Sequence, residues 1–213
     1  MHNSLIVYVD FDRTLYDTPR FTADLQQDIA DAAKLPLEEV TADAARYRTH
    51  ELGGYSYESH VLSYGLEPDV MWQRLNKLSR DTSYLFPDAA PFIQDLRANG
   101  FDPKILSFGE SRFQETKILP ALPLLVGELG AKALEYTVVY EPKSGYIASQ
   151  HPNQRGVLVD DIASQQLPDG FVEIHLDRSR DGTTPEQTDD GFVVVDLYQA
   201  RQIIRDLDAS VTA

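Results

Sequence analysis

The sequence predicts an α/β fold: a mainly parallel sheet interrupted by an inserted α-helical domain. Two observations predict it. Short apolar runs alternate with helical patterns along most of the chain, as parallel strands with crossover helices require. Between the first strand and the second, roughly 70 residues carry helical pattern only, far more than an ordinary crossover needs. The expected division is residues 1–15 and 87–213 as the sheet domain, and 16–86 as the insertion.

The first strand is Leu5 to Val9, a continuous β-branched run of the kind buried on both faces, ending in Asp10-Phe11-Asp12. Thr18-Pro19 reads as an N-cap with proline opening a helix. A second helix runs from near Pro36 through Val40 and Ala44 to Tyr47, and Gly53-Gly54 breaks it. Helical stretches follow near Tyr57–Tyr64 and Asp69–Leu78, where Trp72, Leu75 and Leu78 have core spacing. Pro87 to Asn99 is a helix stopped by Gly100. Lys104 to Leu106 is a strand ending at Ser107, and Glu110 to Leu119 a helix. Strands then follow at Tyr136–Tyr140, Gly156–Val159 (ending in Asp160-Asp161) and Phe171–Leu176. Phe192–Val195 reads as an edge strand, Tyr198–Leu207 as a closing helix, and Ser179–Asp190 as a polar, mobile loop.

Composition excludes several classes. No apolar run approaches the roughly 18 residues of a membrane helix, and Leu5–Val9 is too short for a signal peptide. With no cysteine, disulfides, zinc-thiolate sites and thiol nucleophiles are out, which fits a cytoplasmic protein. A formal net charge of −15 repels nucleic acid and anionic membranes. An anionic substrate therefore needs a local positive site, from a bound metal and one or two placed cations.

The strands end in polar groups: Asp10 and Asp12, Ser107, Lys143 just past its strand, and Asp160 with Asp161. Ligands of open parallel sheets bind at the carboxyl ends of strands, so these distant segments converge on one crevice. Carboxylates suit magnesium, and a hydroxyl and an ammonium suit phosphoryl oxygens. Asp10 is the candidate nucleophile, forming an aspartyl-phosphate. Asp12 is the acid that protonates the leaving oxygen and the base that activates water. Thr14 holds the turn through a side-chain hydrogen bond to backbone. Ser107 and Lys143 orient and neutralise the transferring oxygens.

Val9-Asp-Phe-Asp-Arg-Thr-Leu15 resembles the first signature of the haloacid dehalogenase-like (HAD) superfamily, Asp-x-Asp-x-Thr after a hydrophobic strand. Ile105-Leu-Ser107 resembles the second, Lys143 the third, and Val157-Leu-Val-Asp-Asp161 the fourth, all in the family's order over Leu5 to Asp161. The resemblance implies a Rossmann-like HAD core with a helical cap inserted after the first strand. It also implies a Mg2+-dependent hydrolase acting on a small phosphorylated metabolite. Asp10, Asp12 (through its backbone carbonyl), Asp161 and Asp160 would surround the metal, with Asp161 the direct ligand of the last pair. The family position between Asp12 and Thr14 is usually small, and here it is Arg13, whose side chain needs room or points towards the cap. Dehalogenases of the family lack the second acid, so Asp12 argues against that activity.

Arg13, Thr14, His50 and Tyr57 are the expected substrate contacts, with Tyr55 and His60 clustered near the last two. Lys117 and Lys132 compete with Lys143, but Lys117 lies in a helical stretch and reads as a solvated face residue. Phosphoryl transfer to another acceptor, or binding on a catalytically retired fold, are the rival functions.

Overall fold

The computed structural model describes residues 5–48, 54–127, 132–163 and 166–209. Seven strands form one sheet: β1 (Ile6–Val9), β2 (Lys104–Phe108), β3 (Tyr136–Val139), β4 (Gly156–Asp160), β5 (Phe171–Leu176), β6 (Glu186–Gln187) and β7 (Gly191–Val194), in the order β3-β2-β1-β4-β5-β7-β6. Every pairing is parallel except β6 with β7. The order reverses at β1: the chain moves outward through β2 and β3, then returns to β4 on the other side. The crevice of a doubly wound sheet opens at such a reversal.

Alternation along β1 decides what each face meets. Val7 and Val9 join one large apolar cluster with side chains of α5 (Ala89–Ala98), α6 (Ser111–Val126) and α8 (Leu197–Ala209). Tyr8 points the other way, into a smaller cluster with Leu106, Leu158 and Ile147 of α7 (Lys143–Gln150).

Between β1 and β2 the chain is helical, as the long insertion predicts: α1 (Thr18–Ala33), α2 (Leu37–Ala44) with a 3-10 turn Ala45–Tyr47, α3 (Tyr57–Ser63) and α4 (Pro68–Asp81). Phe21, Leu25, Val40, Trp72 and Leu75 are buried in the same large cluster as the sheet. The two strands of chain that lead in and out pair as a short antiparallel bridge, Tyr16 with Leu85, and Phe86 N–H donates to Leu15 O at 2.9 Å.

Several elements differ from the sequence expectation. Asp17, not Thr18, caps α1: its carboxylate accepts from Arg20 N–H, and the Thr18 hydroxyl turns to Asp12 instead. Helix α6 passes Leu119 and continues across Pro120 and Pro123 to Val126, because each proline removes one backbone bond and the buried Ile118, Ala121 and Leu125 hold the helix to the core. The strand at 191–194 is not the edge. β6, inside the stretch expected to be loop, pairs outside it, and a two-residue strand leaves no periodic signature. Gly191 admits β7 to its place, since a Cβ there would lie 2.0 Å from the Glu173 carbonyl oxygen. Among the described residues no helix is long and apolar enough to cross a membrane.

Candidate active site

β1 and β4 run in register, with Val9 opposite Val159. Asp10 and Asp160, one residue further on, therefore stand side by side at the strands' carboxyl ends. By alternation Asp10 shares a face with Tyr8, the face that α7 covers. Lys143, the first residue of α7, follows Pro142, and its ammonium reaches both acids: 2.5 Å to Asp10 Oδ1 and 2.6 Å to Asp160 Oδ2. A lysine in a helix's first turn meets the positive end of the helix dipole, so these two carboxylates are what make the position tolerable. Burial opposes its charge, yet Asp10 and Asp160 keep Lys143 protonated above the ordinary lysine range.

Asp10, Asp160 and Asp161 bring carboxylate oxygens within 4.8 Å of one another. Three carboxylates against one ammonium leave two negative charges uncompensated, which a divalent cation would balance. Burial, followed by Asp160 and Asp161, pushes the Asp10 carboxyl above its usual range against the pull of Lys143. Burial and Asp160 push Asp161 to about 6. Asp160 is engaged at both oxygens, by Lys143 and by the Ile162 N–H at 2.9 Å. Among the described residues, the buried Asp10 Oδ2 has no hydrogen-bond partner. A buried carboxylate oxygen left bare is costly, and this one fits a metal or an electrophile. The three side chains expected at the metal, Asp10, Asp160 and Asp161, thus stand together.

The carboxylate of Asp12 lies outside that group, which agrees with an expected contact to the metal through its backbone carbonyl and not its side chain. Its oxygens accept from the Lys117 ammonium at 2.5 and 2.7 Å, Thr18 Oγ1 at 2.6 Å and Gln114 Nε2 at 2.9 Å. Burial opposes the Asp12 charge, but Lys117, Thr18 and Gln114 more than offset it and hold the carboxyl below its usual range. Lys117 is 2% exposed, so the expectation of a solvated lysine is wrong. The signal was present: on α6, Gln114 and Lys117 share the stripe of Ile118, Ala121 and Leu125, and a polar residue inside an apolar stripe is buried. Gly109 completes the arrangement. Its φ is +143°, and a Cβ there would meet the Gln114 amide nitrogen at 2.6 Å, displacing the side chain that bridges Phe108 O and Asp12.

Ser107, at the carboxyl end of β2 beside β1, is fully buried with an unpartnered hydroxyl. Thr14 is buried too, and its hydroxyl makes no hydrogen bond among the described residues. The expected Thr14 bond to backbone is therefore absent. The turn is held instead by Leu15 and Tyr16 N–H donating to Phe11 O at 3.0 Å, and by Arg178, which donates to Thr14 O at 2.9 Å and to both oxygens of Asp88. Arg13 is exposed, with φ +60°.

Tyr57 is not a surface group of the crevice. It is 1% exposed, its hydroxyl donates to Met71 O at 2.9 Å, and its ring packs on Trp72. It holds α3 to α4. His50 and Gly53 lie outside the described residues. His60 is buried between Tyr47, Tyr55 and Tyr64, hydrogen-bonded to the latter two hydroxyls.

No family model and no curated protein matches the sequence. Solved structures do match over nearly the whole chain. A Burkholderia xenovorans protein described as a haloacid dehalogenase-like hydrolase aligns with TM-score 0.64 at 19% identity, covering 95% of this chain and 97% of its own. YfnB of Bacillus subtilis, described as a HAD-hydrolase and solved with magnesium, aligns with TM-score 0.60 at 15% identity, covering 94% and 98%. A HAD phosphatase from Thermococcus onnurineus gives 0.60 at 14%, covering 94% and 97%. Dehalogenases are among the other structures that align. The chain has the HAD-like fold, with its Rossmann-type sheet.

Proposed function

We propose that the protein is a magnesium-dependent phosphohydrolase that cleaves monoesters of small phosphorylated metabolites through an aspartyl-phosphate on Asp10. The observation that carries the reading is the bare, buried Oδ2 of Asp10. Lys143 fixes the other oxygen of the same carboxylate, so the nucleophilic oxygen is aimed and its partner is neutralised. Magnesium fits the two uncompensated charges of Asp10, Asp160 and Asp161. When bound it would offset charge on the phosphoryl oxygens and on the nucleophile.

In the first step Asp10 Oδ2 bonds to phosphorus and the ester P–O bond breaks. The leaving oxygen departs as an anion where it is acidic enough, or takes a proton from Asp12 after that carboxylate has been released from Lys117 and has taken up a proton from solvent. In the second step Asp12 takes a proton from water as that water attacks the phosphoryl group, and phosphate and the Asp10 carboxylate are released. Ser107 and Lys143 supply the hydroxyl and ammonium for the transferring oxygens. Asp12 must leave at least one of its donors for these transfers. Its full set of protein donors, Lys117, Thr18 and Gln114, is the observation that favours a second reading, binding of a phosphorylated ligand without turnover.

An aryl phosphate separates the two. Its leaving group needs little protonation, so Asp12→Asn should still form the phosphoenzyme but hydrolyse it slowly. Turnover should fall by about 10² to 10⁴-fold, with a phosphoryl mass increase on the intact protein that Asp10→Asn lacks. If the native protein releases no phosphate from a panel of phosphate esters with magnesium, the enzyme reading fails and the binding reading stands.

A further inference from the structure

Arg13 occupies a position where its side chain is conformationally disfavoured. The turn from Phe11 to Tyr16 is closed by two bonds to Phe11 O and by Arg13 N–H donating to Tyr16 O at 2.8 Å. It places residue 13 at φ +60°, a conformation that glycine adopts freely and a residue with a Cβ does not. The neighbours on both sides are pinned, Asp12 by Lys117 and Thr14 by Arg178. The base of the arginine is therefore fixed while its side chain is exposed to solvent.

The charge of that side chain is also unclaimed. Seven of the twelve other arginines, Arg46, Arg74, Arg112, Arg178, Arg180, Arg201 and Arg205, form ion pairs. Arg13 forms none among the described residues, in a chain with 34 acidic side chains. It stands at the crevice nonetheless, since the turn that holds it leaves β1 directly after Asp10 and it follows Asp12 in the chain. The two lysines at the site are each committed to carboxylates, Lys143 to Asp10 and Asp160, Lys117 to Asp12. A second anionic group on a substrate would find neither of them free.

From this we infer that Arg13 is a specificity-determining residue, which receives a second anionic group carried by the substrate beside the phosphoryl group that is cleaved. The substrate class is then a phosphate monoester with a further phosphate or carboxylate a few bonds away. A planar guanidinium with five donors suits such a group better than an ammonium would. The inference rests on the phosphohydrolase reading above.

The test compares kcat/KM, with magnesium in excess, for propyl phosphate and hexyl phosphate against propane-1,3-diyl and hexane-1,6-diyl bisphosphate. Each comparison is a ratio within one protein, so general damage by a substitution cancels. At least one bisphosphate should be favoured by about tenfold, the scale of one charge-assisted contact. In Arg13→Gln, which keeps a polar, unbranched side chain at the same backbone position but removes the charge, the ratio should fall to near one, chiefly through KM. Arg13→Lys should lie between. A ratio near one in the native enzyme, or a preference that survives in Arg13→Gln, overturns the inference and leaves the phosphohydrolase reading intact. Failure of the native protein to release phosphate from any ester, an aryl phosphate included, overturns both.

Discussion

A carboxylate that must exchange protons and a carboxylate that must hold metal have opposite needs, and one side chain per acid sets the difference here. Asp10 shares Lys143 with Asp160, whereas Asp12 has Lys117 to itself. Replacing Lys117 by Met keeps the volume of the stem and removes the ammonium. Asp12 is then left charged beside Gln114 and Thr18 alone. Because its side chain retains 26% of its exposure, the cost should sit at or below the low end of the range for a broken buried pair, about 3 to 5 kcal/mol. The sign with pH follows from the depressed Asp12 pKa. Its contribution is present above the unfolded value and is lost as pH falls through the folded one. The gap in melting temperature between native and Lys117→Met protein should therefore be full at neutral pH and narrow as pH drops through the carboxylate range. A gap that holds constant into acid would mean the pair is not what Lys117 contributes. The residues at strand ends were legible in the sequence because a buried apolar run makes the polar residue after it conspicuous. Lys117 was not, because a lysine in a helix is ordinarily solvated, and only its register with Ile118 and Leu125 tells otherwise.

Elements were legible to the extent that local chemistry sets them. Helix α1 is bounded by Asp17 at its start and by Lys34 at its end, where the chain turns left-handed with φ +58° and the Lys34 N–H returns to Ala30 O. Glycine is the residue this C-terminal turn prefers. Lys34→Gly should therefore stabilise the protein by about 0.5 to 1 kcal/mol, raising Tm by roughly 1 to 4 °C in a chain of this size. Thermal melts at one pH decide it, and an unchanged or lower Tm would show that the Lys34 side chain contributes more than its backbone costs. What local chemistry could not show is how elements cross-brace. Asp88 opens α5 yet does not cap it. Its carboxylate instead accepts from Arg178 and from the Leu197 N–H at the start of α8, while Arg178 lies over the Phe86 ring at 4.0 Å. Three segments separated by up to 109 positions meet at one acid, and only the sheet order brings them there. Helix α7 was unread for a related reason: eight residues with a glycine inside carry too little pattern, and what fixes the helix is Ile147 in the small cluster and Lys143 on its acids.

For the molecule as a whole, the excess of negative charge and the convergence of Asp10, Asp160 and Asp161 make one cost that a divalent cation would remove. In the metal-free protein Asp161, held near 6, keeps a proton that the unfolded chain loses at the ordinary carboxyl value. Between those two pH values the folded state binds more protons than the unfolded state, so stability falls as pH rises through the window and then levels off above about 6. Allowing for partial solvent screening, that fall is about 1 to 2 kcal/mol. Asp161→Asn removes it, so the variant should gain on the native protein as pH rises through the same window. Magnesium competes with the proton for the same carboxylate. Its stabilisation, about 2.7 kcal/mol at a hundredfold excess over Kd, should thus grow as pH rises through about 6 and shrink in Asp161→Asn. Melting curves of both proteins, with and without magnesium at a series of pH values, measure all four quantities together. A magnesium shift of the same size at every pH, or one undiminished in Asp161→Asn, would place the cation away from this group of acids. The sheet topology alone would then have brought Asp10, Asp160 and Asp161 together, with no metal holding them there.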